Sequence, residues 1–126
     1  MSKRELIDKG FEITSLTPDL VRKYANDICE SLDQIPGVDP HTREQLLQEK
    51  SGDRVLYKKW DHSFILLEGE NFVGIIMGYE RKSENNDQYP YNSIYISDFT
   101  VSKDYQRKGI GRLLVKMWLD KNRIIG

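Results

Sequence analysis

The 126-residue sequence holds a single cysteine, Cys29, so no intramolecular disulfide can form and a zinc site built from several cysteines is excluded. An excess of one charge sign is also missing: nineteen lysines and arginines stand against twenty aspartates and glutamates. Without a net positive field the surface as a whole is not drawn to nucleic acid or to an anionic membrane, so neither is expected as a partner. Any anion site must then be local. No apolar run follows the polar start Met1-Ser2-Lys3-Arg4-Glu5. Neither a signal peptide nor a transmembrane helix is therefore expected, and a cytoplasmic protein is the simplest expectation. The two histidines, His41 and His62, lie far apart without ligand spacing. No metal is expected, and surface or capping roles suit them better.

What is present describes a globular chain. An apolar share of 38% beside 31% charged residues is too apolar for a disordered segment and leaves a well-solvated surface. One domain spanning 1–126 is expected. Phe11, Ile13 and Leu16 mark a first strand. Thr17-Pro18-Asp19 reads as a helix start, with a capping hydroxyl, a proline at the first position and an acid at the positive end of the dipole. Val21, Tyr24, Ala25, Ile28, Cys29 and Leu32 give that helix one apolar stripe. Ile35-Pro36-Gly37-Val38 ends it. Asp39-Pro40 signals a second helix from about His41, with a thin apolar face at Leu46 and Leu47, broken off by Gly52. Residues 53–62 fit no single pattern.

Ser63–Glu68 and Phe72–Glu80 read as paired strands joined by a two-residue turn, Gly69-Glu70, with glycine first. Both are apolar on two faces, as strands covered on both sides by helices are. Residues 83–90 are polar and read as an exposed loop. Ser93–Val101 is the next strand. Plain alternation puts Ile94, Ile96 and Asp98 on one face and Tyr95, Ser97 and Phe99 on the other. A last helix from about Gly109 carries Ile110, Leu113, Leu114, Met117 and Trp118.

Between that strand and that helix lies Gln106-Arg107-Lys108-Gly109-Ile110-Gly111-Arg112. A helix start presents free amides and the positive dipole end, glycines let a ligand approach the backbone, and Arg107, Lys108 and Arg112 add local positive charge. These parts suit a pyrophosphate. A Walker loop would need Gly-Lys-Ser/Thr where Gly111-Arg112-Leu113 stands, and a dinucleotide fingerprint would need a third glycine where Leu114 stands.

The segment resembles motif A of the GCN5-related N-acetyltransferases (GNAT), whose loop runs Gln or Arg, two residues, Gly, any residue, then Gly or Ala. Gln106 to Gly111 matches each position, after a strand ending Asp98-Phe99-Thr100-Val101. The resemblance implies a GNAT-like α/β (α+β) acyl-CoA N-acyltransferase fold, a mixed, mostly antiparallel sheet flanked by helices. It also implies acetyl-CoA (coenzyme A) as cofactor and an amine acceptor, either a small molecule or a protein. Phe99, Thr100 and Val101 would pair with the pantetheine arm, amides from Gln106 through Arg112 would hold the pyrophosphate, and an amide near Phe99 would polarise the thioester carbonyl. Family members usually continue through further strands after this helix. The chain therefore reads as C-terminally truncated relative to them, and a homodimer is a possible consequence.

An acceptor amine, protonated at neutral pH, needs a proton acceptor nearby. Asp98 stands where some antibiotic- and polyamine-acetylating members carry an acid. It reads equally as a strand-end aspartate bonded to backbone. Tyr95 stands where some histone-acetylating members carry a base glutamate, and a half-buried strand tyrosine is the plainer reading. Glu80 is a further acceptor-side carboxylate or a solvated strand end. Cys29 belongs to a core stripe. Besides an enzyme, the sequence fits a non-catalytic acyl-CoA-binding module or an interaction protein of the same fold.

Overall fold

A computed structural model describes residues 2–34, 36–37, 39–81 and 93–122. Four antiparallel strands form the main sheet in the order β1 (Phe11–Ser15), β4 (Phe64–Glu68), β5 (Asn71–Arg81), β6 (Ser93–Val101). A two-stranded ribbon, β2 (Lys50–Ser51) and β3 (Arg54–Val55), stands apart from it and turns at Gly52, whose φ is +61°. The loop expected at 83–90 lies outside the described residues.

Helices cover both faces, as the doubly apolar strands require. On one face α2 (Pro18–Leu32) and α3 (Arg43–Leu47) pack with Ile65, Leu67, Phe72, Ile75 and Met77. Val21 and Ile28 of the α2 stripe are fully buried, while Cys29 is only partly covered at the margin of this core. On the other face α1 (Lys3–Asp8) and α4 (Ile110–Lys121) contribute Leu6, Ile110, Leu113 and Leu114 over Leu66 and Val73. Each fully buried aliphatic side chain stabilises the fold by about 1.5–3 kcal/mol.

Three sequence expectations change. Helix α1 carries no stripe, since only Leu6 is buried, and it was not expected. Helix α3 is capped by Thr42 in a reciprocal box with Gln45, not by Asp39, so it starts later than expected. Residues 53–62 resolve into strand β3 and a short 3-10 turn, Trp60–His62. The hairpin turn follows expectation, with Gly69 at φ +58°.

Candidate functional site

Strand β6 is the sheet's edge: β5 lies on one side, and no described strand lies on the other. Its register against β5 runs Ile76↔Phe99 and Met77↔Asp98, then Gly78↔Ile96, leaving Ser97 as the extra residue of a bulge. A one-residue slip moves every later side chain to the opposite face. Tyr95, opposite Tyr79, therefore shares a face with Asp98, opposite Met77. Plain alternation had separated them, and the bulge corrects it. That common face is the one covered by α2. There the Thr100 and Ser31 hydroxyls share a buried 2.7 Å hydrogen bond that ties β6 to α2.

After β6 a short 3-10 turn, Lys103–Tyr105, leads to Gln106, whose side-chain amide donates to the Val101 carbonyl (2.9 Å) and to Gln34 Oε1 (3.1 Å). Arg107 adopts φ +64° and Gly109 φ +79°, an inversion that turns the chain into α4. Gly109 is the N-cap and offers no side chain to the helix, and the first turn holds no acid. The other three helices differ: Ser2, Thr17 and Thr42 each accept from a helix amide, and each first turn has an acid. The first ladder bond of α4 runs from the Leu113 amide to the Gly109 carbonyl (3.2 Å), leaving the amides before it outside the ladder. Arg107, Lys108 and Arg112 are all exposed beside them. Gly111 also has a packing role that the sequence did not suggest: a methyl group there would meet the Phe99 ring at 3.3 Å, so this glycine lets α4 lie close on β6.

His41 follows the α2–α3 turn. Asp33 receives its backbone amide (3.0 Å) and its Nδ1 (2.7 Å). A carboxylate only accepts, so Nδ1 is the nitrogen that donates and Nε2 is left facing the cavity. These bonds, the ring's foremost, hold the Asp33 carboxyl below its ordinary value. Nε2 faces Asp98 Oδ1 at 3.6 Å, beyond direct hydrogen-bond reach. Two cavities meet here. One, of about 360 Å³, lies along Ser97, Asp98, Phe99 and Thr100 towards Gln106. The other, of about 440 Å³, lies between Asp39, Gln45, Gln48 and Asp98. His41 and Asp98 line both. Beneath, Lys59 is 5% exposed and donates to the Leu46 (2.7 Å) and Gln48 (2.6 Å) carbonyls at the end of α3. Burial pulls its pKa down to about 8, against the opposing charges of Asp98 and Glu49.

The cavity along β6 thus brings together Asp98, Phe99, Thr100 and Gln106. Val101 and Ile110 turn instead into the core under α4. Tyr95 is 41% exposed, 5.5 Å from the Tyr79 ring, with the Arg81 guanidinium 3.6 Å above it. Glu80 belongs to another cluster, taking His62 Nε2 at 2.8 Å, while Nδ1 of that ring meets Asn122. Both histidines are therefore in polar networks, which the expected surface roles did not anticipate. Sequence reasoning missed His41 as a site residue because its partners, Asp33 and Asp98, come from a helix end and a distant strand. Among the described residues no cluster of three or more metal-binding side chains exists, and no helix is long and apolar enough to cross a membrane.

The family model described as Acetyltransferase (GNAT) matches residues 25–123. No curated protein matches the sequence. Among solved structures, the ribosomal-protein-S18-alanine N-acetyltransferase of Escherichia coli superposes with a TM-score of 0.61 at 17% identity, over 88% of this chain and 58% of that one. An aminoglycoside acetyltransferase from an uncultured soil metagenomic sample, solved with sisomicin, gives 0.57 at 20% identity over 91% and 74%. Naa20 of Chaetomium thermophilum, solved with a bisubstrate analogue, gives 0.57 at 22% over 84% and 53%. At such identities the likeness is one of fold, and the chain spans little more than half the length of the Escherichia coli enzyme.

Proposed function

Because the chain belongs to the acetyltransferase (GNAT) family, we propose that it moves an acetyl group from acetyl-coenzyme A directly to a primary amine, in a complex that holds both. The observation that carries this reading is α4's N-terminus. It lacks a capping side chain and an acid, is ringed by three exposed cations, and follows directly on the open edge of β6. A pyrophosphate would complete that helix end, supplying the missing acceptors. The residues present therefore fit the cofactor. When bound, acetyl-coenzyme A supplies an activated acetyl carbon whose C–S bond breaks as a C–N bond forms, the thiolate leaving and taking up a proton.

The chain's own residues divide the work. The outward backbone groups of Phe99, Thr100 and Val101 bind an extended arm as a further strand would. Amides from Gln106 through Arg112 hold the diphosphate, helped by the Arg107, Lys108 and Arg112 charges. Gln106, fixed by Val101 and Gln34, orients the loop. The Asp98 carboxylate draws a cationic amine to the wall between the two cavities. Tyr95, on the same face, lies further along the strand and shapes the acceptor side. Two of the similar structures are named for different acceptors, a protein alanine and an aminoglycoside, and the acceptor here is of either class, a small molecule or a protein amine.

The test is turnover. Purified chain and acetyl-coenzyme A are incubated with spermidine, sisomicin, an N-terminal-alanine peptide and a lysine peptide, and products are followed by mass. The reading expects a gain of one acetyl group on at least one amine. Tight binding of acetyl-coenzyme A with no acetylated product across the panel would favour a binding module of the same fold.

A further inference from the structure

Resting on that reading, we infer that His41 is the group that takes the proton from the acceptor amine, and that the cavity between α3 and Asp98 is where this amine enters. Among the described residues that line the two cavities, His41 is the one basic side chain. Among the described residues, Asp98 and His41 are the two that line both cavities. The cavity along β6 runs towards Gln106 and the uncapped helix, which suits the cofactor. The second cavity carries two carboxylates, Asp39 and Asp98, beside Gln45, Gln48 and the apolar Pro40 and Leu46, which suits a cation on an organic body.

The geometry at the wall specifies the ligand group. Asp33 fixes the His41 ring through Nδ1 and fixes its backbone through the amide. Nε2 then lies 3.6 Å from Asp98 Oδ1, too far for a direct hydrogen bond, so the gap between them is open to a group that reaches both. A primary ammonium donates to both at once. One N–H bond then breaks as Nε2–H forms, the amine nitrogen is left with a free pair, and the imidazolium returns its proton to water through the open cavity. The charges around this ring are Asp33 at the end of α2, Asp98 on β6, Asp39 in the turn and Lys59 beneath Asp98. Asp33 is a positioning residue: it sets which nitrogen is free. Its pKa, held below the ordinary value, is consistent with a carboxylate that stays charged while the ring cycles.

The first measurement needs no turnover. Nitrogen-15 NMR of the imidazole rings should show the neutral form of His41 protonated on Nδ1 and free on Nε2. Titrating spermidine, sisomicin and an N-terminal-alanine peptide should move the Nε2 resonance with at least one of them. Asp98→Asn should abolish that response. A His41 ring indifferent to all three amines overturns the inference, whether or not the chain acetylates them. A response at His41 without turnover would keep the amine site and sink the transfer reading instead.

With an accepted amine in hand, His41→Gln keeps a donor for Asp33 and should lower kcat/KM about a hundredfold or more. It should also flatten the acid limb of the rate–pH profile. Asp33→Asn should displace that limb. An His41→Gln enzyme with the wild-type pH profile would overturn the base assignment while leaving the transfer reading intact.

Discussion

Gly78 has no room for a methyl group. A Cβ there would stand 2.9 Å from Trp118 Cζ2 and 2.9 Å from the Tyr95 carbonyl, and Trp118 is itself held by a 2.7 Å bond from its indole to the His62 carbonyl. Gly78→Ala should therefore cost about 1–3 kcal/mol by overpacking, read as a lower midpoint in urea denaturation. Wild-type stability in that variant would mean that α4 slides freely on β5. Gly109 fails a substitution for another reason, its φ of +79°, and Gly109→Ala should cost about 1–2 kcal/mol through backbone strain. At this scale the sequence was legible where the reason was local. The Gly69-Glu70 turn and the Thr17-Pro18 cap follow from their own residues. Gly111 looked like Gly109 but answers to the Phe99 ring, and His41 answers to Asp33 and Asp98. Those partners are brought in by the fold, and no spacing announces them.

Among elements, the link between α2 and β6 is polar. Thr100 Oγ1 and Ser31 Oγ lie 2.7 Å apart in a buried setting, and Thr100 also meets the Ser31 carbonyl at 3.1 Å. Thr100→Val keeps the shape and removes both bonds of that hydroxyl, leaving Ser31 Oγ only the Gln34 amide at 3.1 Å, so a loss of about 1–2 kcal/mol is expected. A double-mutant cycle with Ser31→Ala should show the two costs to be strongly non-additive. Lys59 makes a second prediction. Its folded pKa, about 8, lies below the ordinary 10.5. Between those values the unfolded chain holds a proton that the folded chain has released, so stability rises with pH across that window. The rise amounts to at most about 3 kcal/mol and is absent below it. Lys59→Met should remove this slope from unfolding curves taken between pH 8 and 10.5. An unchanged slope would place its cause elsewhere. The bulge at Ser97 was illegible for a related reason. Neither glycine nor proline marks it, and only the register against β5 shows that Tyr95 and Asp98 share a face.

Across the whole molecule, the layering was readable in advance. Phe64–Leu67 and Val73–Met77 are apolar on both faces, and a sheet with helices on both sides is what such strands need. The antiparallel order β1-β4-β5-β6, flanked by helices, matches the GNAT acyltransferase fold. Helix α1 escaped notice because it contributes one buried side chain and no periodic pattern. In a protein of net charge −1, the start of α4 is a local positive site, where the helix dipole adds to the exposed Arg107, Lys108 and Arg112. That local charge is what the proposed cofactor site depends on.

The most direct test of this account is calorimetric titration with acetyl-coenzyme A of the wild-type chain beside Arg112→Glu. A carboxylate in the first turn of α4 favours the helix, so the variant should stay folded with unchanged or slightly higher thermal stability. If the start of α4 holds the diphosphate, reversing this charge should weaken binding about tenfold or more. Equal affinity for the two proteins, or no binding by a folded wild type, would contradict the assignment of this helix start as the cofactor site.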